Sequence, residues 1–178
     1  FSYYDSNGSY QNFTPTHIED DTFEYKEANN GMILVGFKRA LVDDITDPYP
    51  KVIDIPNEFN GKPILLIAEA AFESKDITHI TIPDSVIAIG PSVFENCENL
   101  VSVTLPNSLK VLSEQLFNNC SSLTSIELPG SLEIIQESAF GGCSLLSSIS
   151  IPSTVTTIGM GAFRGCASLT SVVIPDSV

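Results

Sequence analysis

Apolar positions along this chain recur with a long period superimposed on short local ones. An Ile-Pro or Leu-Pro pair ends at Pro56, Pro83, Pro106, Pro129, Pro152 and Pro175, at intervals of 27, 23, 23, 23 and 23. Phe72, Phe94, Phe117, Phe140 and Phe163 follow at steps of 22, 23, 23 and 23, and Cys97, Cys120, Cys143 and Cys166 repeat at 23 throughout. Three series in phase define one structural unit, for which Leu123 to Leu145 is a complete example. The long interval has a local origin. Five residues, roughly Asn60 to Ile64, are added between Pro56 and Phe72, and one is missing between Phe72 and Pro83.

Within each unit the spacing is L-x-x-L-x-L, as in Leu100, Val103 and Leu105; Leu123, Ile126 and Leu128; Leu146, Ile149 and Ile151; Leu169, Val172 and Ile174; and Ile77, Ile80 and Ile82. Period two at the end of this motif predicts a short strand. The Pro that follows has no N–H to give to a ladder and ends the strand. A second apolar set, for example Val86, Ile89, Val93 and Phe94, has the spacing of a short helical or 3₁₀ turn. One such unit cannot bury its apolar side alone, whereas stacked units share a continuous core. The prediction is a leucine-rich-repeat solenoid of 23-residue units, each with one short parallel β-strand and a short helical or 3₁₀ return.

The units IPDSVIAIGPSVFENCENLVSV and IPSTVTTIGMGAFRGCASLTSV also resemble the BspA-like, or Treponema-type, leucine-rich repeat, with its pattern I-P-x-S-V-x-x-I-G-x-x-A-F-x-x-C-x-x-L-x-x-V. The resemblance runs from about Val52 to Val178. The segment IPNEFNGKPILLIAEAAF is similar to the insertion-bearing first turn of such arrays. Departures are local: Lys75 lies near an expected Cys, Phe94 follows Val and Phe117 follows Leu. The resemblance implies exported or cell-surface proteins of host-associated microbes, active in adhesion and protein binding, with no catalytic residues to carry over.

Residues 1–75 differ in character from the array. TFEYKEANNGMILVGF, from Thr22, alternates apolar and polar residues about Asn30-Gly31, a favoured turn pair, and predicts a small β-hairpin cap. A cap of this kind covers the apolar end of a solenoid. Residues 1–21 read as a linker or tail, 22–75 as the N-terminal cap and first insertion-bearing turn, and 76–178 as regular repeats. The last strand reaches Pro175 and Val178 with no return arm, so further units or a cap are expected beyond Val178, and association through this end if it is left uncovered.

Charge narrows the partners. The 178 residues carry 22 acidic and 8 basic side chains, a net charge of −14, which disfavours nucleic acid and anionic membrane surfaces. No apolar run is long enough to span a bilayer, so no direct membrane insertion is expected of this segment. Thirteen acidic and six basic groups fall in residues 1–75, nine and two in residues 76–178.

Candidate chemistry is sparse. The four cysteines share one phase, which sets their Cβ atoms ~4.8 Å apart or more, against ~3.8 Å in a disulfide. Buried free thiols are therefore expected, forming a core ladder beside Phe72, Phe94, Phe117, Phe140 and Phe163. A metal site is not expected, because the cysteines lack the close pairs of structural zinc sites. His17 and His79 stand in no triad, and no G-x-S-x-G, H-E-x-x-H or phosphate-loop motif occurs. Neither enzymatic activity nor a cofactor is expected. Asn7, Asn12 and Asn119 stand in N-x-S/T triplets, which arise readily in an Asn- and Ser-rich chain.

What remains is surface. Strand alternation presents His79 and Thr81, Ser102 and Thr104, Ser125 and Glu127, Ser148 and Ser150, and Ser171 and Val173 on the sheet face, which is the candidate binding site. The face lacks Trp, Tyr and Arg, the common interface anchors. Phe37, Lys38, Arg39 and Tyr49 of the cap region offer a second candidate surface. The expected function is a non-catalytic, extracellular or cell-surface module binding a protein, such as host extracellular matrix or another surface protein, or a glycan. The alternatives are a structural spacer or display stalk, or a non-catalytic appendage of an enzyme encoded beyond residue 178.

Overall fold

The computed structural model describes residues 22–37 and 51–178, together with the backbone of three short strands before them, at 2–4, 10–12 and 17–19. Lys38, Arg39 and Tyr49, and most of the tail expected over 1–21, lie outside the described residues. Strand β1 (Ser2–Tyr4) pairs antiparallel with β2 (Tyr10–Asn12). Strand β3 (His17–Glu19) pairs antiparallel with β4 (Phe23–Ala28), which forms a hairpin with β5 (Gly31–Phe37).

The first coil contributes β6 (Val52–Asp54), β7 (Glu58–Phe59) and β8 (Lys62–Ile67). The five-residue insertion is the hairpin joining β7 and β8, turned by Asn60 and Gly61 at φ 52° and 72°. Two consecutive positive φ angles are what a type I′ turn requires, and Asn-Gly supplies them at least cost. The cap turn differs from expectation by one residue. Asn29 and Asn30 form it, and Gly31 already belongs to β5. A Cβ at Gly31 would lie 2.6 Å from both the Leu65 side chain and the Pro63 carbonyl, so this glycine serves the close approach of β5 to β8. β5 runs parallel to β8, pairing Ile33 with Leu66 and Leu34 with Ile67, and the cap thereby continues the solenoid sheet.

Two parallel ladders run along the array. The first joins β6, β9 (His79–Thr81) and β11 (Ser102–Thr104), then thins to a single parallel bridge between Ser125 and Ser148. The second comprises β10 (Ala88–Ile89), bonded to β8, and the sheet β12 (Val111–Leu112), β13 (Ile134–Ile135) and β14 (Thr157–Ile158). Ala88–Ile89 and its counterparts are thus strands, where a helical or 3₁₀ return was expected.

No helix occurs among the described residues, so the helical return is corrected to a chain of tight turns. Its amides alternate between two uses. Ala71, Glu73 and Lys75 bond back three residues, to Ala68, Ala70 and Phe72, while Ala70, Phe72 and Ser74 donate to Pro91, Val93 and Glu95 of the next coil. An α-helix would consume every amide within its own coil. Here half of them join the coils instead, at the cost of left-handed φ angles at two phases: Ala70, Ser92, Gln115, Ser138 and Gly161, and Ser74, Asn96, Asn119, Gly142 and Gly165.

The core fills the space between ladders and turns. Phe72, Phe94, Phe117 and Phe140 are fully buried, and their rings stack at 5.8, 5.5 and 5.4 Å between centroids. Phe163, half-buried, extends the row at 5.5 Å. At the other end Phe23 and Phe37 of the cap close it, the Phe37 ring standing edge-on to Phe72 at 5.2 Å. Burial of each such ring contributes ~1.5–3 kcal/mol.

Candidate binding surface

Each strand of the first ladder is three residues long with its middle residue buried: Ile53, Ile80 and Val103. The flanking residues therefore face solvent in two rows. Val52, His79 and Ser102 align in one, Asp54, Thr81 and Thr104 in the other. Ser125 and Glu127 flank buried Ile126, Ser148 and Ser150 flank half-buried Ile149, and Ser171 and Val173 flank half-buried Val172. All ten residues read from the sequence lie exposed on this face. Val52 and Asp54 were missed. Val-Ile-Asp-Ile-Pro at 52–56 has the phase of His-Ile-Thr-Ile-Pro at 79–83, and that likeness was the available signal.

A shallow groove of about 650 Å³ crosses three coils of the face, among Thr81, Asp84, Ser102, Thr104, Ser125 and Glu127. A smaller one of about 330 Å³ lies among Ser148, Ser150, Ser171 and Val173. Two hydrogen bonds between neighbouring coils lie in the lining of the larger groove. Asn107 donates its backbone N–H to Asp84 Oδ1 at 2.8 Å and its amide Nδ2 to Oδ2 at 3.2 Å. On the approach to the face Lys51 Nζ lies 2.7 Å from Asp76 Oδ2, and Asn99 Nδ2 donates to Asp76 Oδ1 at 2.8 Å. These two donors hold the Asp76 carboxyl below its ordinary range.

The second candidate surface is changed by the packing. Phe37 is buried against Phe23 and Phe72, so it presents no ring to a partner.

The cysteines form a structural row. Cys97, Cys120, Cys143 and Cys166 are free thiols, and each Sγ donates at 3.1 Å to the carbonyl of a phenylalanine one coil earlier: Phe72, Phe94, Phe117 and Phe140 respectively. Burial pushes the Cys97 and Cys143 thiols up to about 12 and raises Cys120 and Cys166 as well. A thiol held neutral in this way is a poor nucleophile and a poor metal ligand. No group of three or more His, Cys, Asp or Glu side chains is placed to hold a metal among the described residues. No helix there is long and apolar enough to cross a membrane.

Each coil of the array thus carries its own Pro, Phe and Cys positions from Pro83 to Cys166. Residues 66–178 match the BspA type leucine rich repeat region in six copies. This chain belongs to the BspA-type leucine-rich repeat family. Among solved structures, a leucine-rich repeat protein of T. pallidum is similar at 30% identity and TM-score 0.75, over 90% of this chain and 72% of that one. One from Bacteroides ovatus is similar at 33% identity and TM-score 0.78, over 90% of this chain and 42% of its own. A third, from Bacteroides capillosus, has 26% identity and TM-score 0.55, over 88% of this chain and 96% of that one. The chain therefore spans less than half the length of the B. ovatus protein. No curated protein is matched by the chain. Leucine-rich-repeat families of this type commonly serve protein binding and surface display, and are typically non-catalytic.

Proposed function

We propose that this BspA-type array is a non-catalytic binding module of an exported or cell-surface protein, and that it engages a protein partner through the outer face of the first ladder. One observation carries the reading. On that face ten exposed side chains and the additional pair Val52 and Asp54 recur along six successive coils, the first three of them paired in register, and a groove of about 650 Å³ crosses three coils. Solenoids use such extended surfaces because each coil adds one rung of contacts without altering the core. A protein is favoured over a glycan because leucine-rich-repeat proteins generally bind other proteins.

The test is capture of purified extracellular-matrix and microbial surface proteins by the immobilised chain and by Ser125→Trp, whose indole would stand in the groove without entering the core. At least one protein should bind the wild type and be lost in the variant at unchanged Tm. If the wild type captures none, the display-stalk reading replaces this one; if the variant binds as well, the face is not the site.

A further inference from the structure

We infer that the segment seated on this face is cationic: a Lys- or Arg-bearing stretch of polypeptide lying across the groove between Thr81 and Glu127. The inference rests on the face being the binding surface, as proposed above, and adds the chemistry of what it binds.

The placement of charge carries the argument. Residues 76–178 hold nine acidic and only two basic side chains. Both basic residues lie away from the face. Lys110 directly precedes β12 on the second ladder, with its Nζ 2.9 Å from Glu133 Oε1, and Arg164 follows Phe163 in the turn segment. The groove itself is lined by the carboxylates of Asp84 and Glu127 and the hydroxyls of Thr81, Ser102, Thr104 and Ser125. Asp54 begins the row that Thr81 and Thr104 continue.

Asp76 shows the contrast. Its carboxylate has a cation, Lys51, at 2.7 Å. Asp84 has the backbone and side-chain N–H groups of Asn107, which orient its oxygens and leave its charge in place. Glu127 is exposed and pairs with no cation among the described residues. Uncompensated carboxylates above a row of hydroxyls repel an anionic partner and steer a cationic one, whose ammonium or guanidinium groups would form charge-assisted hydrogen bonds with them. The interleaved hydroxyls both donate and accept, so they suit the polar backbone of an extended segment.

The probe is a fluorescein-labelled Lys-Ser repeat peptide, with its Glu-Ser counterpart as control, followed by anisotropy against the full chain. Two variants make the same change in net charge at exposed positions: Glu127→Lys in the groove and Glu137→Lys in the turn segment. Asp84→Asn serves as a third, keeping the shape of the side chain. The Lys-Ser peptide should bind with an affinity that falls as salt rises, and the Glu-Ser peptide should not bind. Glu127→Lys should weaken binding by about fivefold or more and Asp84→Asn by about two- to fivefold, with Glu137→Lys changing it less than about twofold. Equal losses at Glu127 and Glu137 would reduce the attraction to net charge and overturn the inference. So would a failure of the Lys-Ser peptide to bind. If a captured protein is lost with Ser125→Trp yet indifferent to Glu127→Lys, the face binds and its partner is not cationic. If no protein is captured through the face, it is the binding reading that fails.

Discussion

Truncating Phe117 to alanine probes the stacking of coils directly. The ring is fully buried and lies between Phe94 at 5.5 Å and Phe140 at 5.4 Å, within 17° of parallel to both. Its backbone would be undisturbed: the N–H still donates to the Ala139 carbonyl at 2.8 Å, and the carbonyl still accepts from Cys143 Sγ at 3.1 Å. The change therefore isolates the ring. Lost apolar transfer and the residual cavity cost ~3–5 kcal/mol for a buried Phe→Ala, and two stacked neighbours, at ~0.5–1.5 kcal/mol each, put the loss toward the upper part of that range. At ~2–4 °C per kcal/mol for a chain of this length, a loss of about 4–5 kcal/mol lowers Tm by about 8–20 °C. Thermal and urea unfolding followed by circular dichroism would measure it beside two references. Phe163→Ala, half-buried with Phe140 as its stacked neighbour, should cost clearly less. Ser148→Ala, exposed on the face, should stay within ~0.5 kcal/mol. A Phe117→Ala shift no larger than that of Phe163→Ala would refute a continuous ring ladder as the axis of the core.

Two further predictions follow from the rows beside it. Cys97, Cys120 and Cys143 should resist a thiol reagent at pH 8 in the native chain, with Cys166 reacting first, and all four should titrate on denaturation; a native disulfide found by mass spectrometry would contradict this. Because burial holds Cys97 and Cys143 protonated up to about 12 against an ordinary 9.0, their stabilisation is complete below about pH 9 and is lost as pH rises toward 12. Urea unfolding across that window should show a decline of up to ~1.4 kcal/mol per pH unit for each such thiol, and a slope unaltered in Cys143→Ala would disprove the assignment. Finally, a Cβ at Gly159 would lie 2.5 Å from the Glu137 backbone nitrogen, whereas one at Gly130 meets nothing within 4 Å. Gly159→Ala should cost ~1–3 kcal/mol and Gly130→Ala should be neutral or slightly stabilising, with equal Tm values as the adverse result.

The candidate face was legible where alternation is strict. In His79-Ile80-Thr81 and Ser102-Val103-Thr104 the buried middle residue dictates that its neighbours point outward. The first coil was not read as part of it, because Pro50 stands where the L-x-x-L-x-L motif has its first apolar residue, so Val52-Ile53-Asp54 does not match that motif. Phe37 was misjudged for a related reason. β5 is apolar almost throughout and buried on both faces, so alternation does not say which way its terminal aromatic points, and only the packed cap places it against Phe23 and Phe72.

The sequence by itself determined the stacking. Side chains that recur every 23 residues can be buried together only if successive coils superpose, so the phase of the Pro, Phe and Cys series already encodes a solenoid and its leucine-rich-repeat family. Tertiary structure alone decided what the return arm is. Val86, Ile89, Val93 and Phe94 suit a helical turn when one coil is considered in isolation, since a lone coil has only its own carbonyls to bond. Once another coil lies alongside, the amides of Ser92, Phe94 and Asn96 find the carbonyls of Glu114, Leu116 and Asn118. The segment then gains bonds between coils by adopting strand and turn, a choice that no local pattern contains because the partner lies about 22 residues away.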